Sequence, residues 1–144
     1  IGTGAGFPGV PIAITEPMAR VTVLDSTRKK MDFVQSAVDE LKLKNVDVHW
    51  GRAEDWLATN RADIAIFRAV SSIRENVRTL RKTRHAIQDV VMLKGKSWSR
   101  EVRAAEREVE RLGFSLDTVW EHTLPEGMGE RAILVYRAPG GQGV

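Results

Sequence analysis

The sequence contains no cysteine, which removes disulfides, thiolate metal sites and cysteine nucleophiles together. His49 and His122 show no metal-ligand spacing to each other or to carboxylates, so they read as structural and no metal is expected. No apolar run approaches the ~18 residues that span a bilayer. No charged-then-apolar leader opens the chain, so a cytoplasmic protein without a membrane partner is expected. A strong charge of either sign is also missing: 22 Lys and Arg stand against 19 Asp and Glu, a net +3. That balance suits a polyanionic partner without requiring one.

What is present is an alternation of strand and helix patterns. VTVLD (21–25) reads as a buried strand ending on a carboxylate, preceded by a short helical segment over 10–16. Ser26 or Thr27 can cap a helix reaching about Leu41, with Met31, Val34, Ala37, Val38 and Leu41 on one face. VDVHW (46–50), ADIAIF (62–67) and VVML (90–93) read as further strands. Helices are expected over 71–84, buried through Ile73, Val77 and Leu80, and over 99–112, where the charged face from Glu101 to Arg111 reads as solvated. SLDTVWEHTL and RAILVYR follow without a helix between them and so form an antiparallel hairpin. The expectation is one α/β domain over 1–137, mostly parallel, with the hairpin at one edge and a flexible tail over 138–144. In such sheets ligands sit at the carboxyl ends of the strands.

The first nine residues, IGTGAGFPG, hold four glycines. Gly4, Gly6 and Gly9 satisfy G-x-G-x-x-G, and Asp25 follows at the offset where a carboxylate meets a ribose hydroxyl. The pattern leaves a dinucleotide and S-adenosylmethionine open, and Pro8 and Pro11 are unusual for the former because they stiffen the turn and remove N–H donors. Gly95-Lys96-Ser97 imitates the end of a P-loop, but Val90 stands where that motif needs glycine. Basic residues cluster in three places. Arg28, Lys29 and Lys30 adjoin the glycine loop; Arg68, Arg74, Arg78, Arg81, Lys82 and Arg84 face only Glu75; Lys94 and Lys96 follow the VVML strand. Together they favour a polyanion at the carboxyl edge.

GTGAGFPGVPIAI, VTVLDS followed by RKKMDFV, then LKLKNV, GRAEDW, FRAVSS and LKG occur in order from residue 2 to about 97, with GERAILVYR near the end. This set resembles the bacterial small-subunit (16S) ribosomal RNA guanine-N7 methyltransferase family, also called the glucose-inhibited division protein B family. The resemblance implies a Rossmann-like class I methyltransferase using S-adenosylmethionine, with ribosomal RNA or the small ribosomal subunit as partner. Carried over by position, Gly2 and Phe7 look like cofactor contacts, with Gly4 and Gly6 giving the close approach. Asp25 would hold the ribose, Ala53 and Glu54 would flank the adenine, and Arg68 would lie where cofactor and substrate meet. Arg28, Lys29, Lys30, Arg74, Arg78 and Lys94 are the candidate RNA contacts.

The family's Ser-Arg-Ala after the fourth strand departs here, because Phe67 replaces the serine, as either a core residue or a platform for a base. Guanine N7 carries an exposed lone pair, so methylation there needs no general base, and no catalytic residue is assigned. Pyrimidine C5 methylation would need a cysteine. Amino-group methylation would call for an Asn/Asp-Pro-Pro-aromatic run that FRAV lacks. In the resembled fold the strand before the glycine loop is the central one, and only Ile1 of it is present, so a fragment or shortened homologue is expected. Two alternatives stay open: a catalytically silent nucleotide- or RNA-binding remnant, and an NAD-binding oxidoreductase domain.

Overall fold

The computed structural model describes residues 1–4, 6–68 and 71–138. It divides into two compact units, Ile1–Trp56 and Leu57–Val144. Beyond Ala138, the tail expected over 138–144 lies outside the described residues. Ala138 itself still donates its N–H to the Gln88 carbonyl.

The first unit is built on two parallel strands, β1 (Val21–Asp25) and β2 (Val46–Trp50), in register from Val21↔Val46 to Asp25↔Trp50. Helix α1 (Gly9–Thr15) precedes β1, and α2 (Arg28–Glu40) connects the strands. The apolar positions of α2 recur at three and four residues, so Met31, Val34 and Val38 fall on one stripe and pack with Val23 of β1. Burying each contributes roughly 1.5–3 kcal/mol. Leu41 is exposed, so the buried stripe ends one turn before the sequence pattern suggests. The chain leaves α2 through Lys42 at φ +54°, with the Leu43 N–H donating to the Val38 carbonyl. The Asn45 amide donates to the carbonyls of Ala13, Glu16 and Ala19, tying the end of α1 to the start of β2.

The short helix α3 (Ala53–Leu57) links the first unit to the second. The second unit carries a four-stranded sheet in the order β3 (Ala62–Arg68), β4 (Ile87–Lys94), β6 (Glu130–Arg137), β5 (Ser115–Thr123). β3 and β4 are parallel; β4 with β6 and β5 with β6 are antiparallel. The C-terminal hairpin therefore joins at the free edge of β4, with β6 inside and β5 outermost. Along β3, β4 and β6 alternate residues are buried: Ala65 and Phe67, Val90 and Met92, Ala132, Leu134 and Tyr136. Phe67 is 1% exposed and registers with Met92, which makes it a core residue and removes the reading of it as a base platform.

Helix α4 spans only Ile73–Thr79, shorter than the helix expected over 71–84. After it the backbone turns to i→i+3 bonds: Leu80 to Val77, Thr83 to Leu80, Ala86 to Thr83. A three-residue repeat eclipses side chains, and Val77, Leu80, Thr83 and Ala86 are all buried. A 3.6-residue reading of the same apolar spacing makes one long helix of it. Of Val102, Ala105, Val109 and Leu112, which the spacing turns to the core, helix α5 (Trp98–Arg111) buries Ala105 and Val109, while Val102 and, just past its end, Leu112 are half-buried. Its charged face is not simply solvated. Glu108 accepts from Arg74 at 2.7 Å and pairs with Arg78 at 3.5 Å, joining α5 to α4.

Candidate cofactor loop and strand-end cluster

In the first unit the glycine loop is fastened to the carboxyl end of β1. The Thr3 N–H donates to the Leu24 carbonyl at 3.0 Å, and the Gly4 N–H donates to Asp25 Oδ2 at 3.0 Å. The other Asp25 oxygen accepts from the Thr27 N–H at 2.9 Å. Burial pushes the Asp25 carboxyl upward in pKa. The N–H groups of Thr27 and Gly4, the Thr27 side chain and the Lys30 charge outweigh it and hold the pKa below the ordinary value. Asp25 is thus an ionised, nearly buried carboxylate, and each oxygen keeps lone-pair capacity after one N–H bond.

The three glycines of the motif do different things. Gly9 lets α1 lie against β1, because a Cβ there would stand 2.5 Å from Val23 Cγ1. Gly6, at φ +96°, has its bare side toward Val10 and Val34, so its first duty is packing within the unit. Gly4, at φ +56°, has nothing within 4 Å of the position a Cβ would take. The open approach the loop offers is therefore at Gly4, beside the Asp25 carboxylate. Gly2 also has positive φ, at +61°, and Phe7 is half exposed.

The end of β2 adjoins this loop. Gly51 donates its N–H to the Asp25 carbonyl at 3.0 Å, and Ala53 (buried) and Glu54 (half-buried) follow at the start of α3. Trp50, missed by sequence reasoning, donates its indole N–H to the Ser26 carbonyl at 2.9 Å, and the Arg28 guanidinium lies 5.3 Å above its ring. Arg28 is thus a stacked cation at the edge of the loop. Lys29 and Lys30 are exposed on the first turn of α2.

In the second unit Arg68 ends β3 on the exposed side, while Ala69 and Val70 lie outside the described residues. Arg74 and Arg78 are half exposed although both pair with Glu108. Lys94 requires correction as an RNA contact. It is 7% exposed, its ammonium donates to the Ser71 carbonyl, and it pairs with Glu101 at 3.2 Å. The same Glu101 oxygen accepts the Ile73 N–H at 3.2 Å. Lys94 therefore points inward and fastens the segment after β3, and a phosphate would have to displace Glu101 to reach it. Among the described residues no group of His, Asp and Glu is arranged to hold a metal ion. No helix among them is long and apolar enough to cross a membrane.

Residues 1–127 match the family model described as rRNA small subunit methyltransferase G. The chain belongs to that family. Ribosomal RNA small subunit methyltransferase G of Solibacter usitatus is 39% identical over 136 residues, covering 94% of this chain and 65% of that protein. The protein of the same name from Synechococcus elongatus is 39% identical over 135 residues, covering 91% of this chain and 56% of its own length. The chain thus spans between about half and two-thirds of the curated methyltransferase G relatives it matches. Among solved structures, a precorrin-6y C5,15-methyltransferase from Geobacter metallireducens superposes with a TM-score of 0.69 at 13% identity, covering 96% of this chain and 76% of that one. MtNAS, solved in complex with S-adenosylmethionine, gives a TM-score of 0.68 at 18% identity, covering 96% of this chain and 53% of that one. These likenesses show the Rossmann-like methyltransferase fold for this member of the methyltransferase G family.

Proposed function

We propose that this chain is the cofactor-binding and methyl-transfer part of an S-adenosylmethionine-dependent enzyme acting on guanine N7 of small-subunit (16S) ribosomal RNA. The observation that carries the reading is the pairing of Gly4, open where a side chain would be, with the ionised Asp25 fastened to its N–H. That pairing fits an adenosyl ligand. The bare Gly4 backbone lets a ligand come close, and Asp25 retains acceptor capacity for ribose hydroxyls. Ala53 and Glu54, at the neighbouring strand end, would take the adenine, with Gly2 and Phe7 along the loop.

When bound, S-adenosylmethionine supplies an electrophilic methyl on a sulfonium: the methyl–sulfur bond breaks as the N7–methyl bond forms, the positive charge passes to the guanine, and S-adenosylhomocysteine leaves. No proton is released, so the chain needs no general base. Its residues have to bind and align the reacting atoms, and alignment alone can supply ~7–11 kcal/mol of a barrier. Arg68, at the end of β3, would lie at the acceptor side. Arg28, Lys29, Lys30, Arg74 and Arg78 would attract phosphates, giving binding that weakens as salt rises.

Calorimetric titration with S-adenosylmethionine, S-adenosylhomocysteine and NAD tests the cofactor. Both adenosyl ligands should bind, and Gly4→Val should abolish that binding. Preference for NAD would overturn the reading. Transfer of labelled methyl to small ribosomal subunits or naked 16S RNA then tests the reaction, and cofactor binding without transfer would point instead to a silent binding remnant.

A further inference from the structure

At the carboxyl end of β1 the parallel ladder of the first unit closes on two unlike hydrogen bonds. The first is made by backbone: Gly51 donates its N–H to the Asp25 carbonyl at 3.0 Å. The next carbonyl along the chain, that of Ser26, is taken by a side chain, the indole N–H of Trp50 at 2.9 Å. Trp50 is the register partner of Asp25, so its ring reaches from the final pair of the ladder to the residue beyond it.

The Ser26 carbonyl and the Thr27 N–H belong to one peptide group. Such a group is planar and trans, so its oxygen and its hydrogen point in opposite directions and turn together. The Thr27 N–H donates to Asp25 Oδ1 at 2.9 Å. One rigid plane is therefore gripped at both ends, by Trp50 Nε1–H at the oxygen and by the Asp25 carboxylate at the hydrogen. Hydrogen bonds chained in this way polarise one another. A water molecule at the oxygen would satisfy the carbonyl without fixing the direction of the N–H. The Gly4 N–H holds the other carboxylate oxygen at 3.0 Å, and the two bonds together set the plane of the carboxylate.

Packing does not account for the ring. Trp50 is 56% exposed, and it is not among the side chains packed with Val23, Met31, Val34 and Val38. It is held instead by the hydrogen bond at its edge and by the Arg28 guanidinium, 5.3 Å from the ring centroid. Both contacts come from the segment that carries the chain from Asp25 into α2.

We infer that Trp50 is a positioning residue for Asp25: its indole N–H orients the Ser26–Thr27 peptide group so that the Thr27 N–H meets the carboxylate. Trp50 touches no ligand in this role and acts through the peptide group alone. The inference rests on the cofactor reading above and deepens it, because it names what holds the carboxylate in one plane for the ribose hydroxyls.

The test is a nuclear magnetic resonance pH titration of the full chain, following the Trp50 indole N–H, assigned through Trp50→Phe, beside the Gly4 and Thr27 amides. The charges that act on Asp25 are Lys30 of α2 and the Ile1 amino group. Burial lowers the latter to about 6, so it titrates well above the carboxylate. In the unaltered chain the indole N–H should inflect at the same low pH as the two amides, and Asp25→Asn should abolish all three inflections. Trp50→Phe keeps a ring for Arg28 but removes the donor. It should move the Gly4 and Thr27 inflections upward in pH and weaken S-adenosylmethionine binding about fivefold, as the loss of one hydrogen bond implies. Val38→Ala, which loosens the core of the same unit, should lower stability and leave the inflections in place. An indole N–H that ignores Asp25, a Trp50→Phe chain that titrates like the parent, or equal movement in Val38→Ala would overturn the inference. If the chain binds no S-adenosylmethionine while the indole still follows Asp25, the cofactor reading falls and the positioning role stands.

Discussion

Lys94 of β4 and Glu101 of α5 form a 3.2 Å ion pair whose carboxylate oxygen also accepts the Ile73 N–H, while the lysine donates to the Ser71 carbonyl. Three separate pieces of the second unit meet on these two side chains: the end of β4, the first turn of α5 and the segment entering α4.

Removing one partner of such a pair leaves the other charge poorly compensated. Lys94→Met is therefore expected to destabilise the second unit by about 3 kcal/mol, discounted from the fully buried case because Glu101 retains some exposure to water. Lys94→Met with Glu101→Gln should cost less than the sum of the single changes. Urea unfolding of the four proteins measures the coupling, and strict additivity would mean that the pair holds nothing together. The Ile73 amide should also lose hydrogen-exchange protection in either single variant.

Gly4 and Gly9 should respond in opposite ways to alanine. Gly9→Ala drives a Cβ to within 2.5 Å of Val23 Cγ1, so it should lower stability by about 1–3 kcal/mol. Gly4→Ala meets no atom and bears only the cost of positive φ, about 1 kcal/mol. The ranking should invert for ligand binding, because Gly4 borders the open approach to Asp25. Thermal unfolding and S-adenosylmethionine titration of both variants decide it; equal thermal losses would contradict the packing assigned to Gly9.

Tyr136 is the chain's single tyrosine, so absorbance at 295 nm reports its ionisation directly. Burial pushes its pKa up, with the Glu101 charge adding to the effect, to about 12. A folded value above the unfolded one, near 10, means the stability it contributes is fully present below pH 10. That stability is lost as the pH rises toward 12. The absorbance midpoint should fall near 12 in buffer and near 10 in concentrated urea. A midpoint of 10 in the folded protein would show the ring to be accessible.

Asp25 carries the reverse sign. Its folded pKa lies below the ordinary carboxylate value, so its contribution is present above about pH 4 and disappears as the pH falls through the folded value. The loop should loosen on acidification at a lower pH than an ordinary carboxylate would set. Asp25→Asn should remove that transition and weaken cofactor binding at pH 7. Chemical shifts of the Gly4 and Thr27 amides, followed from pH 7 to pH 2, record the titration. An inflection at or above pH 4 would refute the depressed value.

Much of the architecture was legible because each element repeats a simple period. Met31, Val34 and Val38 mark α2, alternation marks β6, and the missing helix between β5 and β6 marks the hairpin. Gly4 and Asp25 could be named from their spacing, but the bond between them joins residues 21 apart and exists only once β1 is placed. The long helix expected over 71–84 ends early because Ile73, Val77 and Leu80, spaced by four and three, fit a 3.6-residue period by themselves, and the i→i+3 bonds that carry the chain on from Val77 leave no mark in that spacing. Lys94 looked like a surface cation because it follows an apolar strand and precedes a glycine. Only the register of β4 turns it to the side where Glu101 waits. Trp50 and Arg28 likewise meet across two elements, and neither neighbour in sequence hints at the other.

The three-residue rhythm of Val77, Leu80, Thr83 and Ala86 makes this stretch intolerant of any change in length. Adding or deleting one residue would advance every later side chain by a third of a turn, bringing charge into the interior and delivering β4 with the wrong face to its neighbours. The positions between the buried ones are Arg78, Thr79, Arg81, Lys82, Arg84 and His85. Arg78, Arg81 and Lys82 are thus kept at the surface by the same spacing that seals the core.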